Sequence, residues 1–252
     1  MLFRSAIENN IDIAFLDRYG EPFARIWYPK TSGAAKIKKK QLECSDTEKG
    51  IEYAKAWIND KISRQIKTLK TFSKNKPDTL PAVTQYTDIL KNENEKIKKV
   101  TGTPQEVRGT IMGYEGNASK AYFNGISLIL PQKYRFNGRS RNPGKDFFNT
   151  MLNYSYGVLY SLVEKELVLA GLDPFIGFLH AEHHNNKTLV FDMIEAFRFI
   201  ADETVLSLFT TRKILNSQFD EIEGGYLLNK EGKKLFFEKY HTTLEKSIRY
   251  KG

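Results

Sequence analysis

Between Ile51 and Leu69 the apolar residues Ile51, Ala54, Ile58, Ile62, Ile66 and Leu69 recur at steps of three and four. That period belongs to a long amphipathic helix. Ahead of it, Ser45-Asp-Thr-Glu48 has capping-box spacing, and Pro77 and Pro81 punctuate its end. A second, more polar helix is expected over about 82–99. Thr103-Pro-Gln-Glu106 combines a capping box with proline at the first helical position. The helix that starts there is expected to run to about Asn124, with Gly125 behind it. Another runs from about Asp146 to Ala170, where Gly171 suits a helix C-cap and Pro174 blocks continuation. A further helix is expected from about Leu189 to Leu208, with the rest of the chain helical.

The beginning reads differently. Ile11-Asp-Ile-Ala-Phe-Leu16 opens with alternating apolar residues, Arg18-Tyr-Gly-Glu-Pro22 reads as a turn, and Phe23-Ala-Arg-Ile-Trp-Tyr28 as a second strand. Two strands alone make a marginal unit, so they suit the end of a small β domain. Lys36-Ile-Lys-Lys-Lys40 reads as a basic link. The expected fold class is mainly α: a helical catalytic domain over 45–252, a linker over 36–44, and a truncated β domain over 1–35.

The chain has 252 residues, 40% of them hydrophobic, enough for one large core or a main domain with a small one. It contains no run of about 18 apolar residues, so no membrane span is expected. The start lacks a basic segment followed by a long apolar one, unlike a secretory signal. A single cysteine, Cys44, excludes an internal disulfide framework and a zinc ribbon, and a cytoplasmic setting is expected. The 39 Lys and Arg against 30 Asp and Glu leave a formal charge of +9, which favours polyanionic partners. A merely soluble basic protein would look the same.

Chemistry-bearing residues stand on three segments. Glu115 shares a helix face with Ile111, Ala118 and Tyr122, so it lies on or beside an apolar stripe. Either it forms a structural ion pair, with Arg108 for example, or it is a ligand. His180 ends the apolar segment Ile176-Gly-Phe-Leu and reads as a core histidine or a ligand. His183 and His184 read as loop residues. Asp192 and Glu195, three apart on a helix, face one side, with Asp202 seven further on. Such a pair is often a solvated face, and Glu195 has Arg198 within reach. Taken together, one Glu, one His and an acidic pair on separate elements suit a hard divalent cation, Mg²⁺ or Mn²⁺, the imidazole tilting the preference towards Mn²⁺. On a basic protein such a set suggests phosphodiester chemistry.

Lys133, Arg135, Arg139, Arg141 and Lys145 fall in one loop segment, interleaved with Tyr134 and Phe136. The cations are expected to neutralise phosphates and the aromatics to stack on frayed bases. A solubilising loop is the alternative.

Four runs, in order, carry a resemblance: Gly113-Tyr-Glu-Gly-Asn-Ala-Ser-Lys-Ala-Tyr-Phe123, Arg141-Asn-Pro-Gly-Lys-Asp-Phe-Phe-Asn-Thr-Met-Leu-Asn-Tyr-Ser-Tyr-Gly157, Ala170-Gly-Leu-Asp-Pro-Phe-Ile-Gly-Phe-Leu-His180 and Leu189-Val-Phe-Asp-Met-Ile-Glu-Ala-Phe-Arg198. By these runs the chain resembles CRISPR-associated protein one, the spacer-acquisition endonuclease and integrase family. The resemblance implies metal ligands at Glu115, His180 and Glu195, an accessory acid at Asp192, and a Mg²⁺ or Mn²⁺ cofactor. It implies insertion of new spacers by transesterification, a prespacer 3′-OH attacking a repeat phosphodiester, and cleavage of double-stranded and branched DNA. It further implies a homodimer, and a dimer of CRISPR-associated protein two as partner. The family's N-terminal β domain has more strands than the residues before 30 supply, so only a remnant is expected here. A general metal-dependent nuclease and a catalytically silent DNA-binding or scaffolding subunit remain alternatives.

Overall fold

The computed structural model describes residues 2–9, 11, 13–18, 22–26, 34–180 and 186–245. A short helix α1 (Leu2–Glu8) precedes strands β1 (Ile13–Leu16) and β2 (Pro22–Ile26). These two pair antiparallel, Ile13 opposite Ile26 and Phe15 opposite Ala24, with an irregularity between Phe15 and Leu16. The two expected strands are therefore present. The tip of their turn at 19–21, and Trp27 and Tyr28, lie outside the described residues.

The stretch 36–44 is not irregular. It is most of α2 (Ala34–Ser45), whose buried Gln41 is a clamp: Nε2 donates to the carbonyls of Asp173 at 2.8 Å and Ile176 at 2.7 Å, and Oε1 accepts from the Asp173 amide at 2.8 Å. Ser45 therefore closes a helix instead of opening one. Its hydroxyl donates back to the Leu42 carbonyl, and the next helix, α3 (Glu48–Ser73), takes Thr47 as its N-cap residue. The expected capping box at Ser45 does not form.

Helices α3, α4 (Leu80–Lys99) and α5 (Pro104–Ile129) pack on one another as a three-helix unit. The stripe expected on α3 is its buried face, with Ile51, Ala54, Ile58, Ile62 and Leu69 all at most 2% exposed. The capping box that opens α5 is formed: Glu106 Oε2 accepts from the Thr103 amide at 2.8 Å. This helix does not stop at Asn124. Gly125 lies inside it, and a Cβ there would come within 2.9 Å of Leu69 Cδ2. The glycine permits close helix approach and is not a terminator.

A second group comprises α6 (Phe147–Leu169), α7 (Thr188–Ile194), α8 (Arg198–Thr210) and α9 (Lys230–Leu244). Asp146 caps α6 by accepting from the Asn149 amide, and Gly171 takes φ +80° just past its end, as expected. The helix expected over Leu189–Leu208 is broken: residues Glu195–Phe197 form a 3₁₀ turn between α7 and α8. The remainder is not all helical, since β3 (Phe219–Ile222) and β4 (Gly225–Leu228) form a hairpin. Its two-residue turn places Gly224 at φ +84°, a left-handed conformation that glycine adopts without steric cost. Phe147 stacks on Phe219 at 4.4 Å and meets Tyr226 edge-on at 4.7 Å, fastening the hairpin to α6.

Among the described residues the architecture is thus mainly α with two small antiparallel sheets. Helix α3 joins the halves, meeting α4 and α5 on one side and α7, the 3₁₀ turn and α8 on the other. No described helix is long and apolar enough to cross a membrane.

Candidate active site

Where the halves meet, a cleft of about 350 Å³, counting its open mouth, is lined by Ala54, Ile58, Met112, Glu115, Leu179, His180, Asp192 and Glu195. Helix α3 supplies its apolar floor, α5 brings Glu115, the turn 176–180 brings His180, and α7 with the 3₁₀ turn brings Asp192 and Glu195. Four residues singled out in the sequence on three segments therefore share one cavity.

Their contacts differ. Glu115 and Glu195 both engage one cation, the ammonium of Lys61. Lys61 Nζ pairs with Glu195 Oε2 at 2.6 Å and with Glu115 Oε1, and Lys61 is only 6% exposed. Ser119 Oγ donates to the same Glu115 oxygen at 2.8 Å. On its other side Glu195 is gripped by Arg198, whose Nε donates to both carboxylate oxygens at 2.9 Å. Burial by itself would raise the Glu195 carboxyl, but Arg198 and Lys61 outweigh it and hold it at about 2, against an ordinary 4.5. Burial would likewise lower Lys61, yet Glu195 and Glu115 keep its ammonium above its ordinary range. The ion pair foreseen between Glu195 and Arg198 exists. Arg108 instead donates to the Leu179 carbonyl, and Lys61 takes the partnership with Glu115.

Asp192 is buried and accepts four hydrogen bonds. Oδ2 takes the amides of Phe178 at 2.6 Å and Leu179 at 3.0 Å; Oδ1 takes the His180 amide at 3.1 Å and lies 2.6 Å from His180 Nδ1. A carboxylate oxygen accepts, so this contact puts a ring hydrogen on Nδ1; in the neutral imidazole the lone pair is then on Nε2. Asp192 thus folds the 177–180 turn and fixes the imidazole. Gly177 is required beside it: a Cβ would come within 2.8 Å of Thr188 and 2.9 Å of Asp192 Oδ2.

Asp202 does not join the cleft. The 3₁₀ turn breaks the helical register, and Asp202 accepts instead from Tyr122 Oη at 2.9 Å and Tyr156 Oη at 2.5 Å behind the site. Its burial pushes its carboxyl up. The expected loop at His183 and His184 lies outside the described residues.

The basic segment divides. Lys133, Arg135, Arg141 and Lys145 are exposed. Arg139 turns inward: its guanidinium donates to Asn149 Oδ1 and, at 2.7 Å, to Asn153 Oδ1, and it lies over the rings of Phe123 and Tyr156. The interleaved aromatics are core, not base-stacking surface. Tyr134 is 5% exposed and donates to the Ile214 carbonyl, while Phe136 stacks on Phe148 at 5.0 Å.

Whether these side chains suit a divalent cation has two answers. As arranged, no three His, Cys, Asp or Glu side chains among the described residues are placed to hold an ion together. Yet two carboxylates already share one positive charge, and an imidazole with Nδ1 occupied by a carboxylate borders the same cleft. The donor set is that of a carboxylate–imidazole site with an oriented histidine, and it fits a hard divalent ion.

Sequence reasoning missed Lys61. Its signal was a lysine on the buried face of α3, three residues after Ile58 and four before the buried Gln65.

Comparisons with known proteins identify relatives of the chain as a whole. Residues 1–242 match the family described as CRISPR associated protein Cas1. A CRISPR-associated endonuclease Cas1 of Archaeoglobus fulgidus is 33% identical over 258 residues, covering 98% of this chain and 74% of the relative. The chain spans 65% and 56% of the length of two further curated relatives. A casposase bound to integration product shares the fold with a TM-score of 0.85 and 27% identity, over 99% of this chain and 68% of that one. A Cas1 protein of Thermotoga maritima follows with a TM-score of 0.80 and 28% identity, over 96% of this chain and 74% of that one.

Proposed function

This chain belongs to the Cas1 family, and from that premise we propose that it is a metal-dependent DNA endonuclease and integrase acting through the Glu115–His180–Glu195 cleft. The observation that carries the reading is the convergence of Glu115 and Glu195 on one positive charge, with His180 on the wall of the same cavity. These three residues would hold Mg²⁺ or Mn²⁺. Such an ion, when bound, supplies Lewis-acid stabilisation of the charge that builds on a phosphoryl oxygen.

The chain's own residues do the rest. Asp192 orients the His180 ring through Nδ1, which in the neutral imidazole leaves Nε2 as the ligand atom, and Arg198 fixes the Glu195 carboxylate from the side opposite Lys61. Lys133, Arg135, Arg141 and Lys145 would neutralise phosphates, while Arg139 serves the fold. The reaction is transesterification: a prespacer 3′-OH attacks a repeat phosphodiester, one P–O bond forms, another breaks, and the leaving 3′-oxygen takes up a proton. Double-stranded and branched DNA, a second copy of the chain and a dimer of CRISPR-associated protein two are its proposed partners, in the cytoplasm. The proposed division is a β remnant over 1–35, a connecting stretch over 36–44 that is helical, and a catalytic unit over 45–252.

One observation favours a second reading. The Lys61–Glu115–Glu195–Arg198 cluster is also a self-sufficient set of ion pairs, as a silent DNA-binding or scaffolding subunit would keep. A plasmid assay carrying a CRISPR repeat separates the readings. An integrase gives strand transfer that requires Mn²⁺ or Mg²⁺ and is lost in Glu195→Ala while DNA binding persists. A general nuclease cleaves without joining. A scaffold does neither and retains DNA binding, which would overturn the proposal.

A further inference from the structure

Lys61 is buried on a helix that otherwise shows the cleft only apolar side chains, Ala54 and Ile58. Its stem rises from the α3 face that packs the core, and its ammonium ends between two carboxylates from different elements. Glu195 does not need it for neutrality, since Arg198 already grips both its oxygens. Among the described residues Glu115 is paired with no other cation and otherwise accepts only from the Ser119 hydroxyl. Without Lys61 two carboxylates would face each other across the cleft with the one guanidinium on the far side of Glu195, an arrangement that repels and opens. A divalent ion shared by Glu115 and Glu195 would draw on the carboxylates whose oxygens Lys61 now occupies, so ion and ammonium would compete for them.

We propose that Lys61 is a tethered placeholder cation: it holds Glu115 and Glu195 in register while no divalent ion is bound, and must leave them for one to bind. The inference rests on the metal-site reading above and adds what governs entry of the ion. Occupancy by Lys61 acts as a population cost, since apparent metal affinity is the intrinsic affinity multiplied by the fraction of molecules in which the carboxylates are free. It also accounts for the lack, among the described residues, of three ligands gathered for an ion: Glu115 and Glu195 are drawn together on the ammonium instead.

The test is Mn²⁺ binding by calorimetry with the full chain, read beside melting temperature and needing no activity. Lys61→Met removes the competitor. Its melting temperature without metal should fall, and its Mn²⁺ affinity should rise by about tenfold, the gain expected if Lys61 sits on the carboxylates about nine tenths of the time. Lys61→Arg retains the charge and grips carboxylates in a two-pronged way, so it should weaken Mn²⁺ binding by a comparable factor. That variant carries the test should Lys61→Met fail to fold without metal. A Glu115→Gln control identifies the site, because it should abolish the binding that the lysine variants modulate. Wild-type binding that Glu115→Gln removes, with equal or weaker affinity in Lys61→Met and no loss in Lys61→Arg, overturns the placeholder and leaves the metal site standing. No saturable Mn²⁺ binding in any variant overturns both.

Discussion

Replacing Asp192 with asparagine tests the account at its most connected residue. The carboxylate accepts from three backbone amides and faces His180 Nδ1. In Asp192→Asn the amide oxygen can serve only one side. If it keeps Phe178 and Leu179, the NH₂ group faces the His180 amide and ring. The ring can answer by moving its hydrogen to Nε2 and accepting at Nδ1; the His180 amide cannot, and loses its acceptor. An unsatisfied buried amide costs about 1–3 kcal/mol, and two bonds that lose an ionised acceptor cost further. We expect a loss of about 3 kcal/mol, or about 6–12 °C in melting temperature for a chain of this size. Because the new ring hydrogen takes the lone pair away from Nε2, Mn²⁺ affinity should fall by about 10–100-fold. Urea denaturation gives the first quantity and calorimetry the second, while ¹⁵N-detected histidine spectra report the tautomer. A variant within about 0.5 kcal/mol of wild type, with the His180 tautomer unchanged, would refute the reasoning.

Three further outcomes follow from the same geometry. Gly177→Ala should cost about 2 kcal/mol or more, because its Cβ meets backbone, whereas Gly109→Ala, with nothing within 4 Å, should gain about 0.5–1 kcal/mol; denaturation midpoints of the two should move in opposite directions. Glu195 sits at about 2 when folded against 4.5 ordinarily, so its contribution is complete above pH 4.5 and fades as pH falls towards 2; at about 1.4 kcal/mol per pH unit it amounts to about 3 kcal/mol, and Glu195→Gln should flatten the stability profile measured from pH 5 down to pH 3. If Lys133, Arg135, Arg141 and Lys145 each neutralise a phosphate, log affinity for duplex DNA should fall against log salt with a slope of about −3.6, and removing any one of them should flatten it, whereas Arg139→Ala should lower the melting temperature and leave the slope unchanged.

Much of this was legible in the sequence, for reasons that differ by element. The α3 stripe and the Thr103 capping box are local signals, and both appear as read. Gly125 and the Lys36–Lys40 run misled because their meaning is tertiary: one is a contact with Leu69, the other a helix whose Gln41 reaches across to the Asp173 loop. The Glu223-Gly-Gly hairpin was overlooked because its strands are only four residues each. In the site, Glu115, His180, Asp192 and Glu195 could be named from their runs, and the structure brings them to one cleft. Their division of labour could not be read. Asp192 and Glu195 are three apart, yet one binds a loop and the other faces two cations, because the 3₁₀ turn begins at Glu195. Lys61 lies 54 positions before Glu115, and only the packing of α3 against α5 brings them together. Arg139 looked like its exposed neighbours until the Asn149 and Asn153 carbonyls claimed it.

The measurement that bears most directly on the central claim is the location of Mn²⁺ by anomalous scattering from crystals grown with the ion. The account predicts one dominant peak in the cleft, about 2.0–2.3 Å from a Glu115 oxygen, a Glu195 oxygen and His180 Nε2, with the Lys61 ammonium withdrawn from both carboxylates. A cleft without a peak at saturating Mn²⁺, with Lys61 still between Glu115 and Glu195, would contradict it.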